Sequence, residues 1–345
     1  RRGFFSWSGM SLAGIALQSM LSNESRAENR TPPPPHEGPH FRPKAKSVIW
    51  LMMRGGVSHL EGFDPKPRLD RYAGMTLGST PYKDSVLASP YLKNVREQLA
   101  NNVIKTDKAR LYPLQVGFKK CGEVGAEVSD WWPHTRKRVD DLSIIRSMWT
   151  TDNNHGAQLE FLAGRHLLDG CFPTLGSWIH YGLGSLNQNF PQFLSMGPPL
   201  NSQCSDGVGA QYLGPEHAGV HLEVNPANPL PYVKPPRPVG DGVQRIKESL
   251  LARLHQETAN RFRNDRQLRA RIQSYELAFR MQTAVPEIMK FEKETQQTQA
   301  LYGLDDPVTR PFGQQLLATR RFVEEGVRFI QVFHGTGAAG AWDAH

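Results

Sequence analysis

The sequence WLMMRGGVSHLEGFDPKP, Trp50 to Pro67, starts with large apolar residues and breaks abruptly into Arg-Gly-Gly. The apolar part, from Ser47 to Met53, shows no alternation of polar and apolar positions. That pattern predicts a strand buried on both faces, as in a parallel sheet covered by helices. Gly55 and Gly56 let the chain turn sharply where the strand stops. Open α/β sheets place their ligands beyond the carboxyl ends of the strands. His59 and Asp64, hanging from the following loop, are therefore candidate site residues. The plain alternative is a polar loop in which Asp64 caps the next turn.

Further apolar runs alternate with helical patterns along the chain. DLSIIRSM (Asp141 to Met148) reads as a second buried strand, FPQFLSM (Phe190 to Met196) as another, and VRFIQVF (Val327 to Phe333) as a further one. HGAQLEFLAGRHLL (His155 to Leu168) and the glycine-closed TLGSWIHYGLG read as helices, as does the segment from Gly313 to Glu325. From about 243 to 301 the pattern is helical. Ile246, Leu250, Leu251 and Leu254 share one face, and Leu268, Ile272, Tyr275 and Phe279 share another. Pro286 is expected to break or kink this region. Residues 197–240, rich in Pro, Gly and Asn, read as a surface insertion able to cover a site. The alternation predicts an α/β fold with a doubly wound, mostly parallel sheet.

The first 27 residues read as an export signal, with paired arginines followed by a mild apolar stretch too weak for a stable membrane span. Arg1-Arg2 ahead of Phe4-Phe5 resembles a twin-arginine signal, which places the protein outside the cytoplasm, periplasmic or extracellular. The other reading is an amphipathic helix. Residues 28–45 carry four successive prolines and form a stiff tether. The folded body is expected over 46–345. The chain begins without Met and stops at His345 inside a motif, so it reads as a fragment, C-terminally truncated. A formal net charge of +8 over 345 residues is a modest bias toward polyanions. The arginines between Arg261 and Arg271 read as a solvated helix face, not a nucleic-acid surface. Cys121, Cys171 and Cys204 form no metal motif and no disulfide framework, and read as buried structural thiols.

Chemistry concentrates at two further places. Asp343 and His345, two residues apart, point the same way if the backbone is extended and can then meet one divalent cation: Zn²⁺, Mn²⁺ or Ca²⁺. In SMWTTDNNHGAQLEFLAG, Asp152, Asn153 and Asn154 read as helix caps beside which an anion could dock. His155 and His166 on one helix would lie roughly 16 Å apart, too far to share an ion, which makes His166 structural.

These segments together resemble a family. KSVIWLMMRGGVSHLEGFDPKPRLDRYAG, NHGAQLEFLAG, PTLGSWIHYGLGSLNQNFPQF, RIQSYELAFRMQTAVPE, LYGL and GVRFIQVFHG…AWDAH look like the bacterial exported proteins called domain of unknown function 1501. That family is described as sulfatase-like and placed in the alkaline phosphatase superfamily. The resemblance implies a metal-dependent hydrolase of phosphate or sulfate esters, with His59, Asp64, Asp343 and His345 as metal ligands. It implies an anionic ester substrate, a sulfated or phosphorylated glycan being one candidate. Ten residues before Gly164, where relatives in the superfamily carry the nucleophile, stands Asn154, which cannot act as one. Thr150, Thr151, His155 or a metal-bound water would take its place, with Asn154 and His155 contacting the anion or the attacking water. The alternative is a non-catalytic secreted binding or surface-attached protein that keeps the fold with a degenerate site.

Overall fold

The computed structural model describes residues 42–90, 109–152, 155–200, 207–228, 241–335 and 340–343. Its contacts divide the chain into Arg1–Lys46 and Ser47–His345. The expected signal lies outside the described residues. Of the tether, only residues 42–45 are described, without regular structure. In chain order the strands are β1 Val48–Met53, β2 Phe118–Cys121, β3 Ala126–Ser129, β4 Phe193–Met196, β5 Val220–Leu222 and β6 Phe329–His334. The helices are α1 Arg68–Arg71, α2 Lys83–Leu87, α3 Ala157–Ala163, α4 Leu175–Leu183, α5 Asp241–Arg261, α6 Arg266–Ile288, α7 Gln296–Leu301 and α8 Arg310–Glu324.

Four strands form one parallel sheet in the order β1-β6-β4-β5, which establishes the α/β class. β2 and β3 make a separate antiparallel hairpin. β6 is the apolar spine, its two faces reading alternately. Phe329 and Phe333 meet one set of partners, including Phe193, Val208, Leu162 and Met52. Ile330 and Val332 meet Leu317, Phe322, Val285 and Met289 on the other. Helices α3 and α4 therefore cover one face, and α6 and α8 the other. Fully burying one such side chain contributes roughly 1.5–3 kcal/mol, so β6 with its neighbours forms the stable centre.

Several expectations need correction. β1 is not buried on both faces. It pairs only with β6 among the described residues, and Val48, Ile49 and Leu51 remain exposed, so it is an edge strand. Asp141 to Met148 forms no strand. Ile145 and Met148 are mostly exposed, and the run lies beside no ladder that could take its backbone hydrogen bonds. The helix read from His155 to Leu168 is only Ala157–Ala163, because Gly164 at φ 69° turns the chain into a left-handed cap. Pro286 sits within α6, which ends two residues later at Ile288. Residues 197–240 do more than decorate the surface, for they supply the edge strand β5 and bury Val208 and Leu213. The thiol reading fails at Cys171, which is disulfide-bonded, while Cys121 is free and half-buried.

Candidate functional site

The parallel strands end together. Met53 of β1 stands beside His334 of β6, and Met196 of β4 beside Val332. The chain leaves β1 through Gly55 and Gly56, both at positive φ (96° and 99°), a conformation that other residues adopt only with strain. Arg54 is buried just before this turn. Its guanidinium donates to the Pro198 carbonyl at 3.1 Å and lies over the Phe333 ring. Its Nε has no hydrogen-bond partner among the described residues. Burial lowers its pKa from the ordinary value, the direction expected for a cation removed from water.

The segment after β6 returns onto this rim. Trp342 N–H donates to the Arg54 carbonyl at 3.0 Å, and Gly340 packs so closely on Arg54 that a side chain there would collide with it. Trp342 stacks on Trp132, with ring centres 5.5 Å apart and planes 7° apart. Trp132 in turn touches Phe63, 5.2 Å away. The indole N–H of Trp342 donates to His334 Nδ1 at 2.8 Å. The early loop and the late segment thus meet the same aromatic column. Asp343 is held at the end of that column.

Asp343 meets His155. Asp343 Oδ2 lies 3.1 Å from His155 Nε2, with the imidazole about one-third exposed and the carboxylate mostly covered. Gln158 Nε2 lies 3.4 Å from the other imidazole nitrogen. On the same helix as Gln158, Glu160 accepts from the Thr151 hydroxyl at 3.0 Å (Oε1) and from the Thr150 hydroxyl at 2.6 Å (Oε2). Glu160 is on α3, which Leu159 and Leu162 anchor against Met52 and Phe333. Sequence spacing hid Glu160, because it reads as an ordinary polar position on a helix.

The remaining candidates are less gathered. Asp64 is mostly buried and accepts from Lys66 Nζ at 2.6 Å. His59 is exposed, and its carbonyl closes the turn by accepting from the Asp64 N–H at 3.0 Å. Asn154 and His345 lie outside the described residues. Asp152 is no helix cap: α3 starts from Gly156 without a side-chain cap, and Asp152 is buried against His166 at 3.2 Å. His166 is buried in this pair, although the single helix on which its spacing from His155 rests is not formed.

The donor set suits a divalent cation in part. Zn²⁺ takes imidazole nitrogen and carboxylate oxygen at about 2.0–2.2 Å, which puts two tetrahedral ligands roughly 3.3 Å apart. The His155–Asp343 separation fits that, and it equally fits one hydrogen bond. Among the described residues no three His, Cys, Asp or Glu side chains gather for an ion. No described helix is long and apolar enough to cross a membrane.

No curated protein and no solved structure matches the chain. Residues 45–345 match the family described as "Protein of unknown function (DUF1501)". That match takes in the glycine turn, α3 and the Asp343 segment together, and the chain belongs to the DUF1501 family.

Proposed function

We propose that the protein is an exported metal-dependent hydrolase of phosphate or sulfate esters, related to the alkaline phosphatase and sulfatase group. The observation that carries this reading is the 3.1 Å approach of His155 to Asp343 at the carboxyl rim of a parallel sheet. These two come from segments almost 190 positions apart, and nothing in local chain geometry requires them to meet. His155 and Asp343 would hold the cation, with His59, Asp64 and His345 as further donors. A cation there supplies charge neutralisation for the ester oxygens and the leaving group.

The chain's own groups complete the chemistry. Glu160 is placed to take the Thr151 hydroxyl proton, the nucleophile-plus-base arrangement that activates a weak oxygen nucleophile. Gln158 orients the His155 ring through its second nitrogen. Arg54 places a buried positive charge under the segment that carries Asp343, which favours an anionic substrate. The disulfide at Cys171 supports an oxidising, extracytoplasmic location.

A second reading is favoured by one observation: Thr150 and Thr151 both spend their hydroxyl protons on the same carboxylate, so Glu160 would act as a structural clamp in a binding protein without turnover. Metal content of the full protein, measured together with turnover of 4-nitrophenyl phosphate and 4-nitrophenyl sulfate, separates the two. The hydrolase reading expects stoichiometric divalent metal, turnover of one ester, and loss of turnover in Thr151→Val and Asp343→Ala. Bound metal without turnover supports the binding protein, and a metal-free, inactive full protein ends the hydrolase reading.

A further inference from the structure

Helix α6 faces the segment between β4 and β5 across open space. An open cavity of about 640 Å³ separates the outer loop after β4 from helix α6, within the range that small-molecule sites occupy. Gln267, Arg271, Ser274 and Tyr275 line it from α6, and Gln211 and Pro215 from the loop. The α6 residues are spaced three, four and seven apart, so they form one helical face. A face turned toward a neighbouring element is normally apolar. Around the buried Ala270 this one carries an amide, a guanidinium, a hydroxyl and a phenol, and it leaves open space where packing would be expected.

Next to the loop wall of the cavity in sequence is an aromatic cluster, and Tyr275 brings one ring to the cavity itself. Tyr212 follows Gln211 and meets the Trp178 ring at 6.1 Å. Trp178 meets Tyr181 at 6.1 Å, and Tyr181 meets His217 at 5.1 Å, two residues beyond Pro215. Three of these rings stay in water: Trp178 is 43% exposed, Tyr181 56% and Tyr212 64%. Clustered large exposed rings beside an open cavity mark an interaction site better than scattered ones do. The backbone adds an independent sign. Gln211 has φ 46°, the one positive value at a non-glycine position among the described residues. Such strain persists where surrounding structure holds it, and it gathers at ligand sites.

We propose that this cavity and the neighbouring aromatic cluster bind a saccharide. Pyranose rings present an apolar C–H face, which suits an exposed indole or phenol, and a rim of hydroxyls. Each hydroxyl both donates and accepts, as do the amides of Gln211 and Gln267, while Ser274, whose hydroxyl donates to the Ala270 carbonyl at 2.8 Å, offers an acceptor. Among the described residues no carboxylate lines the cavity, and Arg271 provides a cation for an acidic or sulfated substituent. The open mouth suits a chain of sugars rather than an enclosed monomer. This site stands apart from the ester-hydrolase reading and does not depend on it.

Isothermal titration of the full protein with cellohexaose, xylohexaose, mannohexaose and a sulfated carrageenan hexasaccharide tests the proposal. At least one should bind at millimolar concentration or below. Trp178→Ala and Tyr212→Ala should each weaken binding about tenfold, a usual loss for a central aromatic contact. Arg271→Gln should weaken only a sulfated ligand. These side chains are exposed, so unchanged far-ultraviolet circular dichroism is expected and separates lost binding from lost folding. Absence of binding by all four sugars overturns the proposal. So does binding of the sulfated sugar alone at a strength indifferent to Trp178→Ala, which would be general attraction to a basic chain.

Discussion

Two histidine–carboxylate pairs flank the short helix α3, and they differ in surroundings far more than in chemistry. His166 and Asp152 lie 3.2 Å apart with side chains at 1% and 0% exposure. His155 and Asp343 lie 3.1 Å apart, yet the His155 side chain is 33% exposed. The first pair is sealed. His166 Nδ1 accepts the Leu168 N–H at 3.0 Å, so its proton is on Nε2, facing Asp152. That arrangement fixes the chain on both sides of Gly164 and offers nothing to a substrate. The second pair joins segments distant in sequence at a rim that water and ligands reach. Burial, not residue type, therefore separates the structural pair from the candidate reactive one.

The strongest test breaks the sealed pair. Asp152→Ala leaves a buried imidazole without the carboxylate that accepts its proton. Because Nδ1 accepts a hydrogen bond the imidazole is neutral, and leaving its buried N–H donor unsatisfied costs about 1–3 kcal/mol. Urea unfolding of Asp152→Ala should show a loss of that size. A loss under 1 kcal/mol would mean that Asp152 and His166 are no better joined than a surface pair.

The next test acts on how the open pair is held. Trp342→Ala removes the ring stacked on Trp132 and the indole donor to His334. An aromatic pair contributes about 0.5–1.5 kcal/mol beyond area burial, and a neutral hydrogen bond about 1 kcal/mol. A loss of about 1–2 kcal/mol is expected in urea, with a larger proportional fall in metal occupancy or turnover because Asp343 loses its support. Equal activity in wild type and variant would detach the aromatic column from the site.

How much of this was readable beforehand depended on the range of the forces involved. The runs that became β4 and β6 stood out because a buried strand must be apolar, and the equally apolar β1 run stood out although it is a half-exposed edge strand. Asp141 to Met148, half of whose residues are polar, misled, since such a run becomes a strand only where a partner strand can satisfy its backbone. β5 was hidden because three residues, Val220–Leu222, carry no period amid Pro and Gly. His155 and Asp343 were each visible as chemistry-bearing residues, but their meeting depends on how the end of β6 folds back across Arg54. Glu160 and the polar face of α6 were invisible for a similar reason: a polar helical position does not announce what lies opposite.

A smaller effect comes from pH. Burial lowers the His334 pKa from 6.5, because the charged imidazole is poorly solvated. The unfolded chain then binds the proton more readily than the folded one. Stability is full above pH 6.5, falls as pH drops below it, and levels once the folded histidine also titrates. His180 shifts the same way, mainly through burial and then through repulsion by His217, so the wild type alone does not isolate His334. His334→Gln keeps an acceptor for the Trp342 indole without the titration. The difference between its pH–stability curve and that of the wild type should vanish above pH 6.5 and grow below it. Parallel curves would remove His334 from the acid response.

The smallest expected change in stability belongs to the open pair itself, and it sharpens the contrast most. His155 is partly solvated, so its attraction to Asp343 is screened, and pairs of this exposure contribute about 0–1 kcal/mol. His155→Ala should unfold within about 1 kcal/mol of wild type, while turnover or metal occupancy collapses. A functional group costs little to lose structurally when water can take its place, and much chemically because water cannot. If His155→Ala destabilised the protein as strongly as Asp152→Ala, the two pairs would share one structural role, and the case for a reactive centre at this rim would fall with the distinction.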